Sequence, residues 1–138
     1  EKAKTLRLYQ YNIKLSQRFY GVISMFEIML RNAINTHDKQ YFNDDNWIIN
    51  QTRFPNKAYS LKQTDIYKQL TAIREFRNRI VHHESIRFNA TRTIDTEYAK
   101  ERYELILTYI EYMGFDSASV LRMVEKPYST LKVIDSMK

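Results

Sequence analysis

Between about Leu6 and Phe42, apolar residues return mostly at spacings of three or four: Leu8, Tyr9, Ile13, Phe19, Val22, Ile23, Phe26, Met29, Leu30 and Ile34. That period places them on one face of a long helix. Gly21 falls inside the run and is a poorer helix former than Ala by about 1 kcal/mol, which predicts a kink or break there. The turn formers of "FNDDNWIIN" end the segment, with Asp45 or Asn46 able to cap a short helix carrying Trp47, and "QTRFPNKAYS" reads as a loop through Pro55. A second helix is predicted from about Leu61 to Val81, with Ile66, Leu70, Ile73, Phe76 and Ile80 inward. "HHESIRFNATRTID" has no clear period and reads as a loop.

Asp95 or Thr96 then suits the cap of a third helix, Glu97 to Met113, buried through Tyr98, Leu105, Ile106, Tyr109 and Ile110. Gly114 stands where a left-handed residue closes a helix. A last helix or pair begins at Ser117 (Val120, Leu121, Val124) and resumes after Pro127 (Leu131, Val133, Ile134). No repeat or low-complexity tract appears. The predicted architecture is a single all-α domain, a bundle of four to five helices.

Composition sharpens this picture. A chain of 138 residues, 43% hydrophobic and 14% aromatic, is long and apolar enough for one proper core. Two Gly and two Pro leave little material for hairpins. The net charge of +6 and pI near 9.5 favour polyanionic partners, nucleic acid or an anionic surface, although many ordinary soluble proteins are as basic. With no Cys, disulfides, thiolate catalysis and cysteine-ligated zinc are excluded. No apolar run approaches the roughly 20 residues of a membrane span and no signal pattern opens the chain, so a cytoplasmic protein without membrane attachment is expected. Glu1 at the start reads as a fragment or processed chain.

Two polar clusters interrupt the apolar pattern. In "MFEIMLRNAIN", Ser24, Glu27, Arg31 and Asn35 form one narrow polar stripe on a helix otherwise largely apolar. The stripe is either the helix's only solvated face or, if the helix is buried all round, the lining of an interior or interfacial site. In "REFRNRIVHHESI", residues 74–86, Asn78 and His82 share one face, as do Arg74 and Arg77. Arg77 and His82 lie about 140° apart on an ideal helix. They converge on one ligand only if the helix ends or bends near His82, or if a second copy of the site faces it.

Three readings compete for this second cluster. Adjacent histidines diverge, and neither H-E-x-x-H spacing nor cysteines support a metal site; His37 with Asp38 is isolated. A basic helix end complementing the dipole accounts for Arg79 and one His, but not for two of the chain's three histidines beside Asn78. Phosphoryl chemistry uses the residue types directly. Imidazole exchanges protons near neutral pH, and guanidinium offers a fork of donors to phosphate oxygens. RNA supplies its own nucleophile, so no metal or cofactor is required. Nucleotide-transfer chemistry finds no phosphate-cradling loop, the two glycines being isolated.

The stretch from Arg77 to His82, "R-N-R-I-V-H", resembles the R-x4-6-H motif of the HEPN superfamily. Together with "FEIMLRNAIN" upstream, "IREFRNRIVHHE" looks like the Abi-like (abortive-infection) branch, which pairs an E-x-x-L-R-N-type helix with an R-N-R-x-x-H-H/N-E-type segment. The likeness runs from "LRLYQYN" to about Phe88; before it, and between Trp47 and Phe54, the chain is shorter than that branch. The resemblance implies a HEPN-like helical bundle, a homodimer whose two motifs meet across the twofold, and a metal-independent endoribonuclease of phage defence or a toxin–antitoxin system. It implies Arg77, Asn78 and His82 as catalytic residues, with Glu27, Arg31, Asn32, His83 and Glu84 in support. RNA and an antitoxin or defence protein are the expected partners. The alternative is a non-catalytic HEPN module that binds RNA or protein.

Overall fold

Every regular element that forms among the described residues is a helix. The computed structural model describes residues 1–40, 63–86 and 93–138, with side chains left out for helix residues 34–40 and 63. Five helices lie within them: α1 (Lys2–Gln40), α2 (Gln63–Val81), α3 (Glu97–Tyr112), α4 (Ser117–Val120) and α5 (Tyr128–Asp135). The expected all-α bundle is therefore present. The short helix at Trp47, the loop through Pro55, the start of the second helix at Leu61 and the end of the first at Phe42 lie outside the described residues. So does the boundary near Phe88.

Helix α1 runs unbroken through Gly21, so the expected break there is absent. Packing gives the reason. A Cβ on Gly21 would lie 3.0 Å from Val124 Cγ1, so the missing side chain lets the turn after α4 come close to the α1 backbone. Two predicted core residues also face outward: Tyr9 is 58% exposed and Ile13 40%. The residue that replaces them on the inner face is polar, Asn12, nearly buried between Leu8 and Leu15.

The core joins Leu15, Phe19, Val22, Ile23 and Phe26 of α1 to Ile66, Ile73, Phe76 and Ile80 of α2. From the other side come Tyr103, Ile106, Tyr109 and Ile110 of α3, with Leu131 and Ile134 of α5. Aromatic rings stitch these layers edge to face. Phe19 meets Phe76 at 4.8 Å and Tyr103 at 6.1 Å between centroids; Phe76 meets Tyr98 at 5.7 Å and Tyr103 meets Tyr128 at 5.0 Å. Glu27 on Arg77 and Asn12 on Ile86 show that α2 runs antiparallel to α1.

The helix ends follow sequence chemistry. Thr96 holds the N-cap position of α3, but its hydroxyl donates to Asp135 at 2.6 Å, and it is Asp95 Oδ1 that takes the Glu97 N–H at 2.9 Å. Gly114, at φ 88°, closes α3, with Phe115 N–H reaching back to the Ile110 carbonyl. Asp116 caps α4 by accepting from the Ser119 N–H and hydroxyl, and those hydrogen bonds hold its carboxyl below the ordinary aspartate value. No helix among the described residues is long and apolar enough to cross a membrane.

Candidate functional site at the end of α2

The residues singled out in the second cluster sit where α2 stops. Its last turn closes with His82 N–H on the Asn78 carbonyl (2.9 Å), His83 N–H on that of Ile80 (3.1 Å) and Glu84 N–H on that of Arg79 (2.8 Å). This pair of five-to-two and six-to-one bonds is a Schellman motif, whose penultimate residue adopts a left-handed conformation and is usually Gly. Here it is His83, at φ 56°. Where such motifs usually make an apolar contact, Arg79 and Glu84 form an ion pair at 3.4 Å.

Arg79 anchors the segment further. Its guanidinium donates to the Ser85 carbonyl and lies 4.8 Å above the Tyr98 ring, which Arg102 covers at the same distance. Beyond Ser85, the Ile86 side chain is wholly buried and its N–H donates to Asn12 Oδ1 at 3.2 Å. The chain after the histidines is thus tied to α2 through Arg79, to α3 through Tyr98 and to α1 through Asn12.

Arg77 points differently. Its Nε donates to Glu27 Oε1 at 3.2 Å, and its Nη1 to Asn78 Oδ1 at 3.3 Å. The Arg77 and Glu27 side chains are 45% and 50% exposed, so this is a half-solvated pair. Within the polar stripe of α1, Glu27 looks across to α2 at a half-solvated groove rather than into a sealed interior. Ser24 turns back onto the Tyr20 carbonyl, Arg31 and Asn32 are exposed, and the side chain of Asn35 lies outside the described ones.

Glu27, Arg77 and Asn78 line one end of a groove of about 960 Å³ between α1 and α2. Its floor includes Ile23, Phe26 and Leu30, and its α2 wall carries Tyr67, Lys68 and Arg74. His82, His83 and Glu84 are exposed and are not among its lining residues. A single chain therefore assembles Glu27, Arg77 and Asn78 by hydrogen bonds. The two imidazoles stand beyond them with no hydrogen bond or ion pair from their side chains among the described residues. No group of three or more His, Asp or Glu side chains converges in a metal-binding arrangement there either.

Comparison with family models, with curated proteins and with solved structures finds no match to this chain. The site must be read from its own chemistry.

Two contributors, Asn12 and the α2 wall of the groove, escaped the sequence reading, and a third, Arg79, was read only as a complement to the helix dipole. Asn12 carried a signal, since a polar residue at the fourth position between Leu8 and Leu15 falls on the buried face. Arg79 carried only the weak signal of a cation in a last helical turn. The α2 wall of the groove was legible as a face, because Tyr67, Thr71, Arg74 and Asn78 recur at helical spacing, but nothing in the sequence said that it faces a cavity.

Proposed function

We propose that this chain is a HEPN-type, metal-independent endoribonuclease of the Abi-like kind, acting on single-stranded RNA in phage defence or as the toxin of a toxin–antitoxin pair. One observation carries the reading. Within a single short segment, Arg79, Glu84 and Ile86 tie the chain down, whereas the residues that match the motif stay accessible: Arg77 half-solvated and Asn78 exposed beside Glu27 at the groove, and His82 exposed with no side-chain partner among the described residues.

In this mechanism His82 takes the proton of a ribose 2′-hydroxyl. The 2′-oxygen attacks the adjacent phosphorus and the bond to the 5′-oxygen breaks. An imidazolium returns a proton to that leaving oxygen, giving a 2′,3′-cyclic phosphate and a 5′-hydroxyl end. Arg77 supplies paired donors to the non-bridging oxygens as charge grows on them, and Asn78 Oδ1 holds the guanidinium in place. A homodimer with its twofold near His82 would bring the second copy's imidazole to the other side of the phosphate. The alternative, a non-catalytic module binding RNA or a partner protein, draws on a specific observation too: Glu27 already occupies Arg77 Nε and competes with a phosphate for it.

The test is cleavage of single-stranded RNA in EDTA, with DNA of the same sequence as control. Wild type should cut only RNA. His82→Ala should lower the rate about 10²–10⁴-fold while retaining RNA binding, and Arg77→Lys should fail as well because a point charge cannot replace the planar fork. Wild type that binds but never cuts, or His82→Ala that cuts normally, assigns the chain to the alternative.

A further inference from the structure

We infer that the α1–α2 groove is the track along which a single-stranded RNA approaches Arg77, with Tyr67 as its base-stacking platform. The proposal rests on the nuclease reading only for the choice of RNA as polymer. The groove itself is described by its residues. Its floor is apolar (Phe26, Leu30), its lining holds three cations (Lys68, Arg74, Arg77) against one carboxylate (Glu27), and Tyr67 is 67% exposed beside it. Proteins that hold single strands combine these features, a cationic groove for the backbone and aromatic faces for the bases. An opening of about 960 Å³ lies at the upper end of what encloses a drug-sized ligand.

The layout supplies a direction. Tyr67, Thr71, Arg74 and Asn78 fall on one face of α2. From Tyr67 to Arg77 the helix rises about 15 Å at ~1.5 Å per residue, the length of about four nucleotides at a stacked spacing of ~3.4 Å. A strand seated on Tyr67 and crossing Lys68 and Arg74 would therefore deliver its fourth or fifth phosphate to Arg77. The two α2 acids near this wall, Asp65 and Glu75, are not among the lining residues. Glu27 is paired with Arg77, so Lys68 and Arg74 give the track its excess positive charge, which is complementary to a phosphate backbone.

The test is fluorescence anisotropy with a labelled 2′-O-methyl oligouridine of eight nucleotides, which lacks the attacking hydroxyl and so cannot be cut. Tyr67→Ala should weaken binding about tenfold or more without changing the salt dependence. Arg74→Ala should weaken it and reduce the slope of log K against log salt by about 0.7. Lys132→Ala, an exposed cation on α5, should bind within twofold of wild type. Both groove side chains are exposed, so circular dichroism should show either variant folded. Wild-type binding by Tyr67→Ala, an equal loss in Lys132→Ala, or no binding by wild type overturns the track. So does a self-association that Tyr67→Ala abolishes in place of RNA binding, which makes the groove a protein interface. Tyr67-dependent binding without cleavage of ordinary RNA leaves the track standing and removes the nuclease. Cleavage indifferent to Tyr67 does the reverse.

Discussion

His83 occupies a backbone position that nearly every other residue type avoids. The left-handed conformation at φ 56° costs a non-glycine residue on the order of 1 kcal/mol. His83→Gly should therefore raise stability by about 1 kcal/mol in urea unfolding, and a lower midpoint would show that the imidazole makes a contact that outweighs the strain. Asn12 illustrates the opposite economy, a polar side chain buried in order to satisfy one backbone N–H. In Asn12→Ala the Ile86 N–H loses its acceptor, at a cost of about 1–3 kcal/mol. Hydrogen exchange at the Ile86 amide should quicken ahead of the core amides; unchanged protection would show that Ile86 side-chain packing alone holds the segment. The catalytic candidates were legible as residues, since Arg77, Asn78 and His82 stand out by type and spacing. Their surroundings were not. Whether Glu27 would pair with Arg31 one turn away or with Arg77 fifty positions on depended on how two helices cross, which local periodicity does not encode.

At the scale of elements, the chain was most readable where a regular pattern met a definite stop. Helices α2 and α3 end where Val81 gives way to a loop and where Gly114 supplies a left-handed closure. It was least readable at Gly21, because intrinsic propensity says what a residue costs a helix and not what its absent side chain admits. The joint between α3 and α5 rests on electrostatics instead. Asp135, at the last turn of α5, faces the unfavourable end of its own helix dipole. It receives the Thr96 hydroxyl at 2.6 Å and the Lys100 and Lys138 ammonium groups at 3.1 Å each. Burial pushes its pKa upward, but the hydrogen bonds from Thr96, Lys100 and Lys138 prevail and hold it below the ordinary aspartate value. A depressed folded pKa means that this stabilisation is present above the unfolded value of about 3.9 and is lost as pH falls through the folded value. Lys100 mirrors it at the alkaline end. The Glu97 and Asp135 carboxylates raise its pKa, so its share is present at neutral pH and fades as pH rises past the ordinary lysine range. Asp135→Asn should cost about 1 kcal/mol at pH 7 and less at an acid pH below its depressed folded value. Denaturation curves of the two proteins at both pH values measure the difference; a penalty that persists in acid would place the loss in packing instead.

At the scale of the whole molecule, the aromatic contacts decide how the fold comes apart. The rings run without a gap from Tyr128 on α5 through Tyr103 on α3, Phe19 on α1 and Phe76 on α2, then back to Tyr98 at the start of α3. Each contact in that run joins two different helices, and such edge-to-face pairs contribute about 0.5–1.5 kcal/mol beyond the area they bury. No two helices thus hold a complete share of the core between them. If α5 peels away, Tyr103 loses a face; if α2 leaves, Phe19 and Tyr98 lose theirs together. Partial structures are penalised at several points at once: opening α2, the helix that ends just before the histidines, would break the Phe76 ring contacts to α1 and to α3 together. Heat or denaturant should therefore take the candidate site and the core apart in one cooperative transition, with fluorescence and circular dichroism midpoints coinciding.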